Sequence, residues 1–207
     1  GHTNTQLSKI GKAQAKLLSD RLNLTNQSVF TSDLARAKET AYFLSDSPSV
    51  RENLREINVG DFTGKSVKKT YSNNLDIFDA LQDDTYVFPN GESVQEFKQR
   101  VHQEVDYIFD NIDEDSECIV VTHGFFIGTA IGLVLGFNQY PYPIGNIQNT
   151  SVSTVIKRDS VMQVNKFNDA IHLPNSYIDY PAKDKSRILT FIRPVSYTHL
   201  TLPTRKL

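Results

Sequence analysis

The sequence predicts an α/β fold, a three-layer α/β/α sandwich around a mostly parallel sheet. Three observations point to it. Short strand-like runs alternate with helical segments along the chain, the order that builds parallel sheets covered by helices. Cys118-Ile119-Val120-Val121 is continuously apolar before Thr122, the pattern of a central strand buried on both faces. From Ser93 onward, Val94, Phe97, Val101, Val105, Ile108 and Ile112 repeat at steps of three and four, which lays one apolar stripe along a helix.

The first helix is expected over Ser8 to Leu22, with Ser8 as N-cap. Ile10, Ala13, Gln14, Leu17, Leu18 and Arg21 fall on one side of it at helical spacing, and most are apolar. Ser28-Val29-Phe30-Thr31 reads as a short strand. It leads into a helix from Asp33 to Leu44 with Ser32 as N-cap. Leu54 to Gly64 holds two glycines and no sustained period, so it reads as loop. Weak helical signals come next, over Lys65 to Leu81. Pro89-Asn90-Gly91 marks a turn. Ser93 and Glu96 form a capping-box pair at the start of the long helix. After the Cys118 strand, Phe125 to Leu135 reads as an apolar helix closed by Gly136. Ser151 to Lys157 and Val161 to Phe167 read as two strands joined at Arg158-Asp159-Ser160, a hairpin at one edge of the sheet. Pro174 to Pro194 is an arm without a clear period.

Composition narrows the function classes. The chain has 207 residues, 39% hydrophobic and 22% charged, with a net charge of −2. These values suit one soluble globular domain with a real core. No basic block supplies the electrostatic footprint of nucleic-acid binding, and no apolar run approaches a membrane span. Cys118 stands alone, so neither a disulfide framework nor a cysteine metal cluster is available. It reads as a small buried hydrophobe, and the cysteine usage suits a reducing, cytoplasmic compartment.

Chemistry is expected beyond the carboxyl ends of strands, where open α/β sheets bind ligands. Two strand ends carry polar groups. At the first, Arg36 falls in the opening turn of a helix, where amides already favour anions and a guanidinium clamps phosphate in bidentate fashion. A surface salt bridge fits the same residue taken alone. At the second, His123 sits at the mouth of the Cys118 strand. Gly124 comes directly after it and lets the backbone approach a ligand. A hydrogen-bonded structural histidine is the alternative. Glu56, in the irregular loop, has the isolated look of a solvated acid.

Together these segments resemble the histidine phosphatase superfamily of phosphoglycerate-mutase-like enzymes. Thr31-Ser32-Asp33-Leu34-Ala35-Arg36-Ala37-Lys38-Glu39-Thr40-Ala41 is similar to that family's "SSDLxRAxxTA". Leu54-Arg55-Glu56-Ile57-Asn58-Val59-Gly60-Asp61-Phe62-Thr63-Gly64 is similar to "LxExxxGxxEG", with Thr63 where many members have Glu. Pro89-Asn90-Gly91-Glu92-Ser93 resembles "PxGES", and Thr122-His123-Gly124 resembles "SHG". Asn149-Thr150-Ser151-Val152-Ser153 and Asn168-Asp169-Ala170-Ile171-His172-Leu173 resemble the late "NxSV" and "NDxxHL" elements. Order and spacing agree from Gly1 to Leu173, the extent of the expected phosphatase domain.

One departure accompanies the resemblance. Family members open with a strand ending in "RHG", which carries the nucleophile. Gly1 to Ala15 resembles the family segment just after that motif, so the first strand and its loop, about twenty residues, are expected upstream of Gly1. His2 is not that histidine, because no arginine precedes it and it lies on the wrong side of the motif. The chain as it stands is therefore expected to be inactive and poorly stable, with strand edges exposed where that central strand belongs. At the other end, Val195 to Leu207 reads as translated sequencing-adapter read-through, with a genuine Thr-rich tail as the alternative.

The resemblance implies a phosphomonoesterase that forms a phosphohistidine. Arg36 and His123 would surround the phosphoryl oxygens, with Gly1 and Gly124 beside them. Glu56 would be the general acid and then the general base. No cofactor and no metal are implied, since arginine and histidine supply the positive charge. The partner would be a small phosphorylated metabolite, of undetermined identity. A phosphoglycerate mutase is a second reading, and only about thirty residues between Glu56 and Pro89 speak against the longer insertion that mutases carry. A phosphate-binding pseudoenzyme is a third. Tyr71, Phe78, Tyr86 and Phe88 read as core or, alternatively, as an apolar lid over the leaving group.

Overall fold

The computed structural model describes residues 1–64, 77–139, 144 and 146–177. The region 65–76, the later arm from 178 and the C-terminal tail lie outside the described residues, so Tyr71 and the weak helical signals before Ile77 are not placed.

Helix α1 spans Lys9–Leu22, and Ser8 caps it: its Oγ accepts from the Gly11 amide at 3.1 Å. The buried side of α1 is Gln14, Ala15 and Leu18. Ile10, expected inward, is 57% exposed. Strand β1 (Ser28–Thr31) comes next, then α2 (Ala35–Ala41). This helix is shorter than expected at both ends. Leu34 takes the extended N-cap conformation, while the Ser32 hydroxyl accepts from the Leu34 amide at 3.3 Å. Ser32 therefore closes a turn ahead of the helix.

Strand β2 (Ser49–Val50) is two residues long and had no signal in the pattern. Single-turn helices at Glu52–Leu54 and Gly60–Phe62 bracket the irregular loop. Helix α3 covers Ile77–Gln82. Helix α4 (Val94–Asp110) carries the complete capping box of Ser93 and Glu96. Strand β3 (Cys118–Val121) leads into α5 (Gly124–Val134). The chain leaves α5 through Gly136 at φ +78°. Strands β4 (Val152–Arg158) and β5 (Val161–Asp169) form the antiparallel hairpin.

The sheet order is β2-β1-β3, parallel throughout, with Phe30 opposite Val120 and Thr31 opposite Val121. Successive side chains of a strand point to opposite faces. Phe30 and Val120 accordingly join the core built by α4, α5 and the 54–59 loop, which includes Leu54, Ile57, Phe88, Phe97, Val101 and Phe126. Val29 is buried on the opposite face, where α2 packs. Helices thus cover both faces. β3 is half-buried along its whole length, against the expectation of full burial. The reason is its position: among the described residues it pairs only with β1, and the β4–β5 hairpin forms a separate sheet. No helix among them is long and apolar enough to cross a membrane.

Leu54 and Ile57 explain why an irregular loop is well fixed. Both are fully buried, and each such side chain contributes about 1.5–3 kcal/mol of burial. They flank Glu56 in sequence, so the acid is carried by a segment anchored in the core. Of the aromatics read as core or, alternatively, as a lid, two are placed in or against the core. Phe88 lies in the core, and Tyr86 packs edge-to-face on it at 5.1 Å; the Phe78 side chain lies outside the described set.

The turn at Pro89-Asn90-Gly91 locks onto this loop. Gly60 has φ +49°, and a Cβ there would lie 1.9 Å from the Pro89 carbonyl oxygen. A Cβ on Gly91 would lie 2.3 Å from the Asn58 carbonyl oxygen. Both obstacles are backbone. We expect Gly91→Ala to destabilise the fold by about 2–3 kcal/mol, read as a lower urea midpoint at constant m. A midpoint within experimental scatter of the parent would show that the two loops are free to separate.

Candidate active site

The N-terminal ends of α2 and α5 and the 54–60 loop converge at the carboxyl edge of the sheet. Arg36 projects from the first turn of α2. Its Nη1 donates to the Thr3 carbonyl at 2.7 Å and its Nη2 to the Gly1 carbonyl at 3.2 Å. The Asn4 side chain caps the same helix, accepting from the Ala35 amide at 2.7 Å. The first residues of the chain are thereby drawn across the site.

Glu56 is 7% exposed. Its carboxyl accepts from the Ile57 amide and from the Phe125 amide, each at 3.1 Å. Phe125 is in the first turn of α5, so the carboxyl sits at a helix N-terminus. Burial pushes its pKa above the ordinary carboxylate value. The two amides and Arg36 oppose that rise without cancelling it. Thr122 ties the end of β3 to the same loop, its hydroxyl donating to the Leu54 carbonyl at 2.7 Å.

His123 is the N-cap residue of α5, with extended backbone. Its ring is buried, and Nε2 has no hydrogen-bond partner among the described residues. A buried ring nitrogen left bare is costly, and the Arg36 charge acts on it. Burial first, then the Arg36 charge, lowers its pKa to about 3. Gly124 is exposed and leaves open space where a Cβ would project.

The structure therefore brings together Arg36, Glu56, His123, Gly1 and Gly124. It adds His2, whose Nε2 lies 2.7 Å from the Glu56 carbonyl oxygen. A carbonyl only accepts, so Nε2 carries the proton. Sequence reasoning set His2 aside as a nucleophile and found no other use for it. It also missed the ion pairs around the site. Arg55 grips Asp33 with two donors. Arg100 pairs with Glu92. The "PxGES" resemblance had marked Glu92, but nothing in the pattern named its partner.

The His123 environment gives a test of anion binding. Its folded pKa is below the unfolded value, so protonation opposes folding as pH falls from about 6.5 toward 3. A phosphate in contact with Nε2 inverts that preference. We expect inorganic phosphate to raise the His123 midpoint by about 2 units or more, followed by NMR of the ring protons. A midpoint that does not move would place the anion elsewhere.

A family model for the histidine phosphatase superfamily (branch 1) matches residues 1–170. The chain belongs to that superfamily. It is 27% identical to a probable phosphoglycerate mutase (GpmB) of Erwinia tasmaniensis, over 86% of this chain and 88% of that protein. It is 28% identical to a metal-independent phosphoserine phosphatase of Arabidopsis thaliana, over 84% of this chain and 75% of that protein. A mycobacterial glucosyl-3-phosphoglycerate phosphatase superposes with a TM-score of 0.72 at 23% identity, covering 82% of this chain and 90% of that one. The α-ribazole phosphatase of Shigella flexneri gives 0.70 at 22% identity, with coverages of 82% and 87%. The fold is the phosphoglycerate-mutase-like α/β/α sandwich expected from the sequence.

Proposed function

We propose that this histidine phosphatase is a phosphomonoesterase acting through a phosphohistidine, with Glu56 as general acid and base and a small phosphorylated metabolite as substrate. The observation that carries the reading is Glu56 itself. A carboxyl buried between two backbone amides, with raised proton affinity, stands beside a guanidinium and a buried imidazole whose Nε2 has no hydrogen-bond partner among the described residues.

The reading takes its nucleophile from a histidine upstream of Gly1. Two features support it. The Gly1 carbonyl is held by Arg36, so whatever precedes Gly1 joins the chain inside the site. Among the described residues β3 pairs only with β1 and the hairpin forms a separate sheet, so each has an edge with which a further strand can pair. In the first step the histidine nitrogen bonds to phosphorus and the ester P–O bond breaks. The proton of Glu56 goes to the leaving oxygen. In the second step water attacks phosphorus, the N–P bond breaks, and Glu56 takes the proton. Arg36 and an Nε2–H of His123 stabilise the phosphoryl oxygens, whose charge is most spread in the transition state. The amides at the N-terminus of α5 add partial positive charge. The reading calls for no metal, and it takes the enzyme to be cytoplasmic.

We expect Arg36→Ala to weaken inhibition by inorganic phosphate by about 10- to 10²-fold, the loss of a charge-assisted bidentate contact at about 1.5–3 kcal/mol. An unchanged inhibition constant would remove Arg36 from the phosphate site. The likeness to a probable mutase favours a second reading, phosphoryl transfer within phosphoglycerate. Incubating the full-length enzyme with 3-phosphoglycerate separates the two: release of inorganic phosphate supports the phosphatase, and accumulation of 2-phosphoglycerate supports the mutase.

A further inference from the structure

The carboxyl of Glu56 is held by two amides, while its main chain is held by a different group from another element. Arg100 lies in the second turn of α4. Its Nη1 donates to the carbonyls of Asn53 at 2.7 Å and Arg55 at 2.9 Å. Its Nη2 donates to the Glu56 carbonyl at 3.3 Å and to Glu92 Oε1 at 2.6 Å. Its Nε donates to Glu92 Oε2 at 3.1 Å. A guanidinium has five N–H donors in a fixed plane, and every one is used in this arrangement.

Glu92 completes the frame. Its Oε1 also accepts from the Asn58 amide at 2.7 Å, and its own amide donates to the Asn58 carbonyl at 3.0 Å. One ion pair therefore grips the loop at residues 53, 55, 56 and 58, on both sides of the acid. The pair is largely shielded, with side-chain exposures of 19% and 17%, and Arg100 lies over the Phe97 ring. Its hydrogen bonds all go to the loop and to Glu92, none to Arg36 or His123.

We infer that Arg100, locked by Glu92, is a positioning residue for acid–base catalysis: it sets the Glu56 backbone so that the carboxyl meets the leaving oxygen. This rests on the assignment of Glu56 as acid and base. Lysine cannot replace it, because an ammonium offers three donors from one point and cannot span three carbonyls and a carboxylate. Loss of the fork leaves Leu54 and Ile57 anchored but lets the peptide between them rotate. A displacement of about 1 Å at the reacting groups costs on the order of 10²-fold in rate.

The test is a double-mutant cycle in the full-length enzyme, with Arg100→Lys and Glu56→Gln made singly and together. The readout is kcat/KM for an alkyl phosphate, alongside the inhibition constant of inorganic phosphate. Arg100→Lys is expected to lower kcat/KM about 10- to 100-fold in the parent and less than about 2-fold in the Glu56→Gln background. Phosphate inhibition, which reports Arg36 and His123, is expected to stay within about 2-fold. Equal losses in both backgrounds, or phosphate binding lost in step with rate, would show a general structural role and overturn the inference. Glu92→Gln is the second variant should Arg100→Lys fold poorly. It keeps the shape of the frame, weakens the ion pair, and is expected to give the same pattern at smaller size. If Glu56→Gln alone causes no loss that depends on the leaving group, the acid assignment fails, and the positioning role falls with it. If that loss is present and the cycle is additive, only the positioning role fails.

Discussion

Glu56→Gln is expected to lower kcat/KM for alkyl phosphates by about 10²- to 10⁴-fold, the usual contribution of a positioned general acid, and to affect aryl phosphates far less. The quantity kcat/KM reports the steps up to departure of the leaving group. A phenolate leaves without a proton, whereas an alkoxide needs one, so the loss tracks the basicity of the leaving oxygen. The second step needs Glu56 as base for both substrates. With an aryl phosphate the variant should therefore show a burst of phenol and then a slow steady state, as phosphoenzyme accumulates.

The pH dependence has a definite sign. Burial raises the Glu56 pKa, which enlarges the protonated fraction near neutrality. In the parent, kcat/KM for an alkyl phosphate should fall as pH rises through that raised value, and this limb should vanish in the Gln variant. The substitution also has a structural consequence. The carboxylate accepts from both Ile57 and Phe125, while an amide offers one oxygen and turns an NH₂ toward the other donor. A stability loss of about 1–3 kcal/mol is expected and is measured separately by thermal melting. Equal slowing of aryl and alkyl substrates in kcat/KM would remove Glu56 from the acid role.

Glu104→Ala is expected to destabilise the fold more than either Gly91→Ala or Glu56→Gln, by about 3–5 kcal/mol. Glu104 is 1% exposed and takes two donors from Arg51, one of them Nη2 at 3.0 Å. Arg51 stacks over the Tyr107 ring at 3.7 Å, and its amide bonds the Thr31 carbonyl at 2.8 Å. The pair thus ties α4 to the end of β1, directly before the segment that carries Arg36. Truncation of the side chain removes the carboxylate that offsets the guanidinium and opens a cavity. Arg51 is 24% exposed, so water reaches it and the loss should lie at the lower end of that range. Against a total stability of about 5–15 kcal/mol, this is a large fraction. Urea titration of the folded enzyme measures it. Replacing the pair together, Arg51→Met with Glu104→Leu, should restore most of the loss, since desolvation of both charges is then avoided. A single-variant loss below about 1 kcal/mol would show that the pair is solvated like a surface bridge.

Glu104 also shows what periodicity alone can reveal. It sits on the α4 stripe, three residues after Val101 and four before Ile108. The stripe therefore announces a buried carboxylate that needs a cation, but Arg51 is 53 residues away and no local rule names it. The same holds for Arg21, which reaches Asp169 and His172 across the domain. The "NDxxHL" segment was visible as a motif; its partner was not. β2 escaped notice because two residues, Ser49 and Val50, are too short for a period to form. They are a strand only because they pair with Phe30 and Thr31 of β1.

Local pattern and motifs read in order were enough for the succession of elements, the capping of α1 and α4, the hairpin turn and the family. They also named Arg36, Glu56 and His123 as residues to be brought together. What each of these residues is depended on the folded surroundings. Glu56 looked like a solvated loop acid until its side chain proved buried, with the Phe125 amide donating to its carboxyl. His123 had an equal claim to a structural role until its Nε2 proved buried and without a hydrogen-bond partner among the described residues. His2 and Arg100 acquired roles only through the Glu56 carbonyl that both contact. Burial and long-range hydrogen bonding set proton affinity, and both are properties of the surroundings that a chain makes only when it folds.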